Sequence, residues 1–168
     1  MKKRILSLAL SAAMALTMLP TGAFAASDKG KPPVYNKATG CYEISTPDQL
    51  LYLSGSWRDG APRDGHYVLT ADIDMTGVKG FKPIASKKDQ GFTGTFDGQF
   101  HAIKGLRVEY EKKYAGLFGY VGNQDDQAYI KDVALLDCYV TGQQNVGALA
   151  GVNYGTITGC VVTGEVKC

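Results

Sequence analysis

The stretch "GTFDGQFHAIKGLRV", residues 94–108, decides how the rest of the chain is read. It is built of strand formers, but Gly94, Gly98 and Gly105 interrupt it. Two readings compete. In one, His101 and Asp97 form an acid–base pair, since histidine titrates near neutrality and a carboxylate can orient it. In the other, Asp97-Gly98 is a turn, Phe96 and Phe100 pack, and His101 starts the next strand. Leu106 and Val108 then share one face while Ile103 has the opposite parity, and a bulge at Gly105 would bring all three to one side. No nucleophile in a defining context such as G-x-S-x-G accompanies the pair, which favours the turn.

Glycine punctuates the chain well beyond this stretch. It makes up 21 of 168 residues, about 12 % against an average near 7 %. The glycines are spread through the back half at intervals, with strand formers between them. Three pairs of pieces align without gaps. "LLDCYVTG" (135–142) matches "ITGCVVTG" (157–164) at an offset of 22, which places Cys138 against Cys160. "YAGLFGYVG" (114–122) matches "VGALAGVNY" (146–154) at 32, and "IKGLRV" (103–108) matches "IKDVAL" (130–135) at 27. Repeats of 20–50 residues indicate a solenoid or propeller, and the uneven offsets mean that segments such as "GNQDDQA" (122–128) bulge from turns.

The pieces read as short strands at His101–Val108, Leu117–Val121, Ile130–Leu135, Cys138–Val140, Val146–Ala150 and Cys160–Val162. Each is too short to stand alone and must stack on the next coil. The expected fold is all-β, a right-handed parallel β-helix with strands about 4.8 Å above one another. One helix is expected in "STPDQLLYLSGSW" (45–57), with Thr46 as N-cap, Pro47 first and Gln49 completing a capping box. It would cover the first coil, with Trp57 packed nearby. At the other end, "EVKC" begins another pass with nothing to cover it, so the chain is expected to continue past Cys168, or to be completed by a partner or by end-to-end self-association.

The chain opens with Lys2, Lys3 and Arg4, an apolar run from Ile5 to Leu19, and Ala23-Phe24-Ala25, the layout of a secretory signal peptide cleaved near Ala25. The apolar run is short for a membrane span. Removing residues 1–25 takes three positive charges from the formal +2, leaving −1. A near-neutral mature chain gives no electrostatic case for nucleic acid or an anionic membrane. The expected divisions are residues 1–25 signal peptide, 26–40 linker, 41–100 capping helix and first coils, and 101–168 repeats.

No residue is assigned a catalytic, cofactor-binding or metal-binding role. Asp72 and Asp74 in "ADIDM" lie on one side of a strand and offer hard oxygens, but no D-x-D-x-D-G loop follows, so turn caps are expected there. There is no C-x-x-C and no H-E-x-x-H; His66 and His101 are 35 apart. Asp97, Asp125 and Asp126 do not amount to a demonstrable carboxylate pair. Cys41, Cys138, Cys160 and Cys168 are too few for a disulfide framework, and Cys138 and Cys160 are expected as buried free thiols. Tyr110, Tyr114, Tyr120, Tyr129, Tyr139 and Tyr154 could form a glycan-stacking row, but strand cover is the favoured reading.

"YEISTPDQLLYL", "YVLTADIDMTG", "FKPIAS", "GFTGTFDGQFHAIKGLRV", "YAGLFGYVG" and "NVGALAGVNYGTITGCVVTG" follow one another in an order that resembles secreted proteins carrying GLUG repeats. Gly116-Leu117-Phe118-Gly119 fits that motif; Ala148-Leu149-Ala150-Gly151 departs at its first position. The resemblance spans roughly residues 42–164. It implies a bacterial secreted or surface protein, adhesin-like, of a type whose repeats also accompany IgA-protease-type metallopeptidases. It implies no chemistry of its own. A non-catalytic adhesion or spacer module is therefore expected, meeting a glycan or a host or cell-surface protein. The alternative is the front accessory region of a larger secreted peptidase or glycan-active enzyme.

Overall fold

Beyond an antiparallel pair at the start, the short strands find their hydrogen-bonding partners one coil away. The computed structural model describes residues 30–55 and 61–168, so the signal segment and Trp57 lie outside the described residues. In chain order the elements are β1 (Val34–Asn36), β2 (Cys41–Ile44), α1 (Pro47–Tyr52), β3 (His66–Leu69), β4 (Ile73–Asp74), β5 (Thr95–Asp97) and β6 (Ala102–Lys104). There follow β7 (Arg107–Ala115), β8 (Phe118–Val121), β9 (Tyr129–Lys131), β10 (Ala134–Val146), β11 (Ala150–Asn153), β12 (Thr156–Thr158) and β13 (Val161–Lys167). One wall runs β1-β2-β3-β5-β9-β12 and a second runs β13-β10-β6-β4, with β7 also on β10. The third is β11 on β8, extended by single bridges from Ile84 to Phe118 and from Phe92 to Val121. Every pairing between coils is parallel, giving the expected β-solenoid.

The walls are held by columns of like side chains. Tyr42, Tyr67, Phe96, Ile130 and Ile157 share one position on the first wall. Ile73, Ile103, Leu135 and Val162 share one on the second, as do Val108, Val140 and Val166. Burying one such side chain contributes roughly 1.5–3 kcal/mol, which is how three-residue strands hold together. Tyr42 and Tyr67 stack with ring centroids 5.2 Å apart. Tyr67 stays inside because its hydroxyl donates to the Pro62 carbonyl at 2.7 Å.

Gly105 behaves as expected. Strand β6 ends at Lys104 and β7 starts at Arg107, with Gly105 between them at φ +67°. Ile103, Leu106 and Val108 all reach the interior. A Cβ at Gly105 would run into Thr76 of the coil beneath, so glycine is needed for space as well as for φ. One coil on, Asp137 takes the corresponding left-handed corner at φ +52°.

Two of the three sequence alignments are out of register. Leu135 pairs with Val162, 27 residues on, and Cys138 pairs with Gly164, so Cys138 and Cys160 are not stacked. Ile103 pairs with Leu135 at 32, whereas Ile130 lies on the first wall against Phe96. Both errors equal five residues. That is the step from Ile130 to Leu135, from the first wall to the second within one coil, where the same apolar pattern recurs. The remaining pair, with Phe118 on Ala150 at 32, is in register.

The ends differ. Helix α1 has Thr46 as N-cap, its side chain accepting from the Gln49 N–H, and Gln49 Oε1 accepts the Ser45 N–H at 2.7 Å. The helix is shorter than the expected 45–57, and it buries Leu50 and Leu51 over the first coil. The segment expected to be a linker contributes β1, which pairs antiparallel with β2 and closes that edge. At the other end Val162 and Val166 occupy the interior columns yet stay 43 % and 44 % exposed, because no strand among the described residues lies above β13.

Candidate functional site

Asp97 and His101 are not partners. Asp97 Oδ1 accepts the Gln99 N–H at 2.9 Å, an Asx turn, while Oδ2 meets Lys131 Nζ of the next coil at 2.8 Å. His101 Nδ1 instead lies 3.1 Å from Asp72 Oδ1, which also accepts the Ala102 N–H at 2.9 Å. That backbone donor, with His101 beside it, holds the Asp72 carboxyl below its ordinary value. Asp74 accepts the Thr76 N–H at 2.9 Å, and Thr76 lowers its carboxyl likewise. All three aspartates tie a turn or join one coil to the next. Phe100 does not pack with Phe96; it is 83 % exposed, at φ +63° on the outside of the corner.

Thiols and tyrosines divide in the same way. All four cysteines are unpaired; Cys138 is buried, its thiol pushed up by burial, and Cys160 is only half-buried. Tyr114, Tyr120 and Tyr154 form a row, at 5.4 Å edge-on and 5.7 Å stacked. Tyr120 is buried within it, so the row covers the third wall more than it presents ring faces. Tyr139 sits between cations of neighbouring coils, with the Arg107 guanidinium 4.3 Å and Lys167 Nζ 5.3 Å from its ring centre. Tyr129 stands exposed on the first wall, away from that row.

The feature that did not emerge from the sequence is a groove between β7 and the loop after β4. Alternation along β7 points Val108 inward and Arg107 and Glu109 outward. Arg107 Nη2 donates to Glu109 Oε1 at 2.6 Å, which keeps the Glu109 carboxyl low and the guanidinium charged. Facing them is "VKGFKPIASKK" (78–88), with four lysines and no acid. Phe81, Ile84 and Ala85 anchor this loop in the core. The Lys82 N–H donates to Ser54 Oγ at 2.7 Å and the Ile84 N–H to the Leu117 carbonyl at 2.9 Å. Its lysines therefore stand on fixed backbone.

Between loop and strand lies a cavity of about 290 Å³ lined by Val78, Lys79, Gly80, Phe81, Arg107 and Glu109. It shares Glu109 with a wider, open one of about 770 Å³ that takes in Lys82, Lys87, Tyr110, Glu111 and Lys112. The lining charges are five cations and two carboxylates. Such a surface can bind and orient an anion. The lysine-rich run 78–88 was the available signal, but only the fold places Arg107 and Lys112 opposite it.

No family model matches the chain. It is 34 % identical over 135 residues to halomucin of Haloquadratum walsbyi, a match covering 74 % of this chain and 1 % of that protein. It is 33 % identical over 101 residues to a protein of Evansella cellulosilytica named as a Gly-rich membrane protein, covering 55 % of this chain and 11 % of the other. The chain thus spans a small fraction of the curated relatives it matches. Among solved structures it resembles a Bacteroides ovatus protein named as an immunoglobulin A1 protease. The TM-score is 0.58 at 22 % identity, covering 75 % of this chain and 38 % of that one. That likeness concerns the fold.

Proposed function

We propose that the chain is a secreted, non-catalytic β-solenoid module of a cell-surface protein, with an adhesive or spacing role. The observation that carries this is the stack itself. Parallel rungs filled by apolar columns give a stiff wall whose outward positions recur coil by coil while their side chains vary, a geometry suited to display. The similarity to halomucin and to the Gly-rich membrane protein supports a surface setting. So does the repeat pattern resembling GLUG proteins. No helix among the described residues is long and apolar enough to cross a membrane.

The test has two arms. Labelled residues 26–168 are applied to intact cells and to a glycan-coated surface, and attachment is measured for the parent, Asp97→Asn and His101→Ala. Equal attachment by all three is expected, because those side chains tie turns. Turnover of a polysaccharide or of immunoglobulin A1 that His101→Ala abolishes without unfolding the chain would overturn the reading.

The name of the solved neighbour favours a second reading, an accessory region of a larger secreted peptidase or glycan-active enzyme. An H-E-x-x-H further along the same reading frame would decide for it.

A further inference from the structure

We propose that the groove between β7 and residues 78–88 binds an acidic polysaccharide, a sugar chain carrying carboxylates, laid across Arg107, Lys82, Lys87 and Lys112. This rests on the adhesive reading and names its ligand class. The first support is charge. The whole chain carries a formal +2, yet five cations and two carboxylates converge on this one groove. Among the described residues the ion pairs are His101–Asp72, Arg107–Glu109, Lys131–Asp97 and Lys167–Glu165, so Lys79, Lys82, Lys87 and Lys112 have no carboxylate within 4.0 Å. Cations standing on anchored backbone, without partners, attract an anion at little ordering cost.

The second support is shape. The two cavities lie either side of a shared wall residue, Glu109, and the larger is open, which suits a length of polymer crossing both better than an enclosed small molecule. The third is the mixture of groups. Glu109 and Glu111 sit among the cations and would repel a densely charged phosphate backbone. Against a sugar chain they become acceptors for hydroxyl groups, while the lysines meet its more widely spaced carboxylates. Arg107 spends one nitrogen on Glu109 and keeps further donors for a ligand carboxylate.

The probe is polygalacturonate, with dextran as neutral polymer and duplex DNA as dense polyanion. Binding to residues 26–168 is measured by calorimetry at about 20 and about 200 mM salt, either side of the range where screening becomes strong. Polygalacturonate is expected to bind, more weakly at the higher salt, with dextran and DNA well behind. Each exposed contact is worth about 1.4- to 5-fold in affinity, so Lys82→Gln, Lys87→Gln and Lys112→Gln together should lose roughly tenfold or more. The same three changed to Arg should retain binding. Lys31→Gln, Lys37→Gln and Lys104→Gln remove as much charge elsewhere and should leave it intact. All six lysines are exposed, so the variants keep the core. No binding of polygalacturonate, full binding by the groove variant, equal loss in the control variant, or DNA binding as tight would each overturn the proposal. Attachment to cells that persists without polygalacturonate binding would spare the adhesive reading and refute only the ligand.

Discussion

Phe96→Ala is the substitution that tests the column packing most directly. Phe96 is fully buried, stacked in register between Tyr67 and Ile130, with its ring edge-on to Phe118 at 5.3 Å and 80°. Truncation loses the transfer free energy and leaves a cavity between coils that cannot collapse without breaking the parallel ladder. The expected cost is about 3–5 kcal/mol, of which the edge-on contact accounts for about 0.5–1.5. Against a total stability of about 5–15 kcal/mol, that is about a fifth or more. Ile157 occupies the same column on the last described rung and is only half-buried, with no described strand above it. Ile157→Ala should cost about 1–2 kcal/mol, below the range of about 2–5 for a fully buried truncation because the site is half open to solvent. Urea unfolding of residues 26–168, followed by far-ultraviolet circular dichroism, measures both. With a slope of about 1–3 kcal/mol per molar, the Phe96→Ala midpoint should fall by more than about 1 M. Equal shifts for the two variants, or a Phe96→Ala shift under about 0.5 M, would mean that these residues do not form one column graded from middle to end.

Three further outcomes follow from the same geometry. The buried Cys138 thiol, pushed up by burial, should resist iodoacetamide at mildly alkaline pH while exposed Cys168 reacts, and peptide mass spectrometry showing Cys138 labelled first would contradict its placement. Asp72, Asp74 and Glu109 all have folded carboxyls held low, so their stabilisation is complete above the ordinary carboxylate range and lost as pH falls through the folded values. The melting temperature should thus be nearly flat from about pH 8 to about pH 5 and drop below about pH 4, with a smaller drop in Asp72→Asn; identical acid limbs would count against the turn role. When residues 26–168 are expressed alone, β13 amides should exchange fastest among the strands, and size-exclusion chromatography should show pairing through that edge, partly reversed by reductant acting on Cys168; a monomer with protected Val162–Lys167 amides would refute this.

How far the fold was legible depended on which signals are local. The corner at Gly105, the Asx turn at Asp97 and the cap at Thr46 are each set by a few adjacent residues, and each appears where the sequence put it. Register is not local. A coil visits two walls within five residues, from Ile130 to Leu135 or from Ile157 to Val162, and both walls want one inward apolar residue flanked by outward polar ones. Gapless matching therefore scores a strand against the wrong wall as highly as against its true neighbour. The cysteines made the false match more persuasive, since Cys138 turns inward opposite Gly164 while Cys160 lies just before β13 with its thiol 3.3 Å from the Thr158 carbonyl.

The groove was hidden for a related reason. Its cations come from residue 79 to residue 112 and meet only because one coil of the solenoid returns the chain beside the loop it has just left. In sequence, the lysines of 78–88 look like any solvated run, and Arg107 looks like the outward half of an alternating strand. The structure adds the anchoring of the loop through Phe81 and Ile84, and the absence of described carboxylates beside four of those lysines. A solvated run becomes a surface of defined shape only when its backbone is fixed. Here the residues that fix it are core residues of the repeat, so the shape of the groove depends on the packing beneath it. A core substitution such as Phe81→Ala should accordingly weaken polygalacturonate binding even though Phe81 carries no charge, and at a temperature where the rest of the ladder is still folded by circular dichroism.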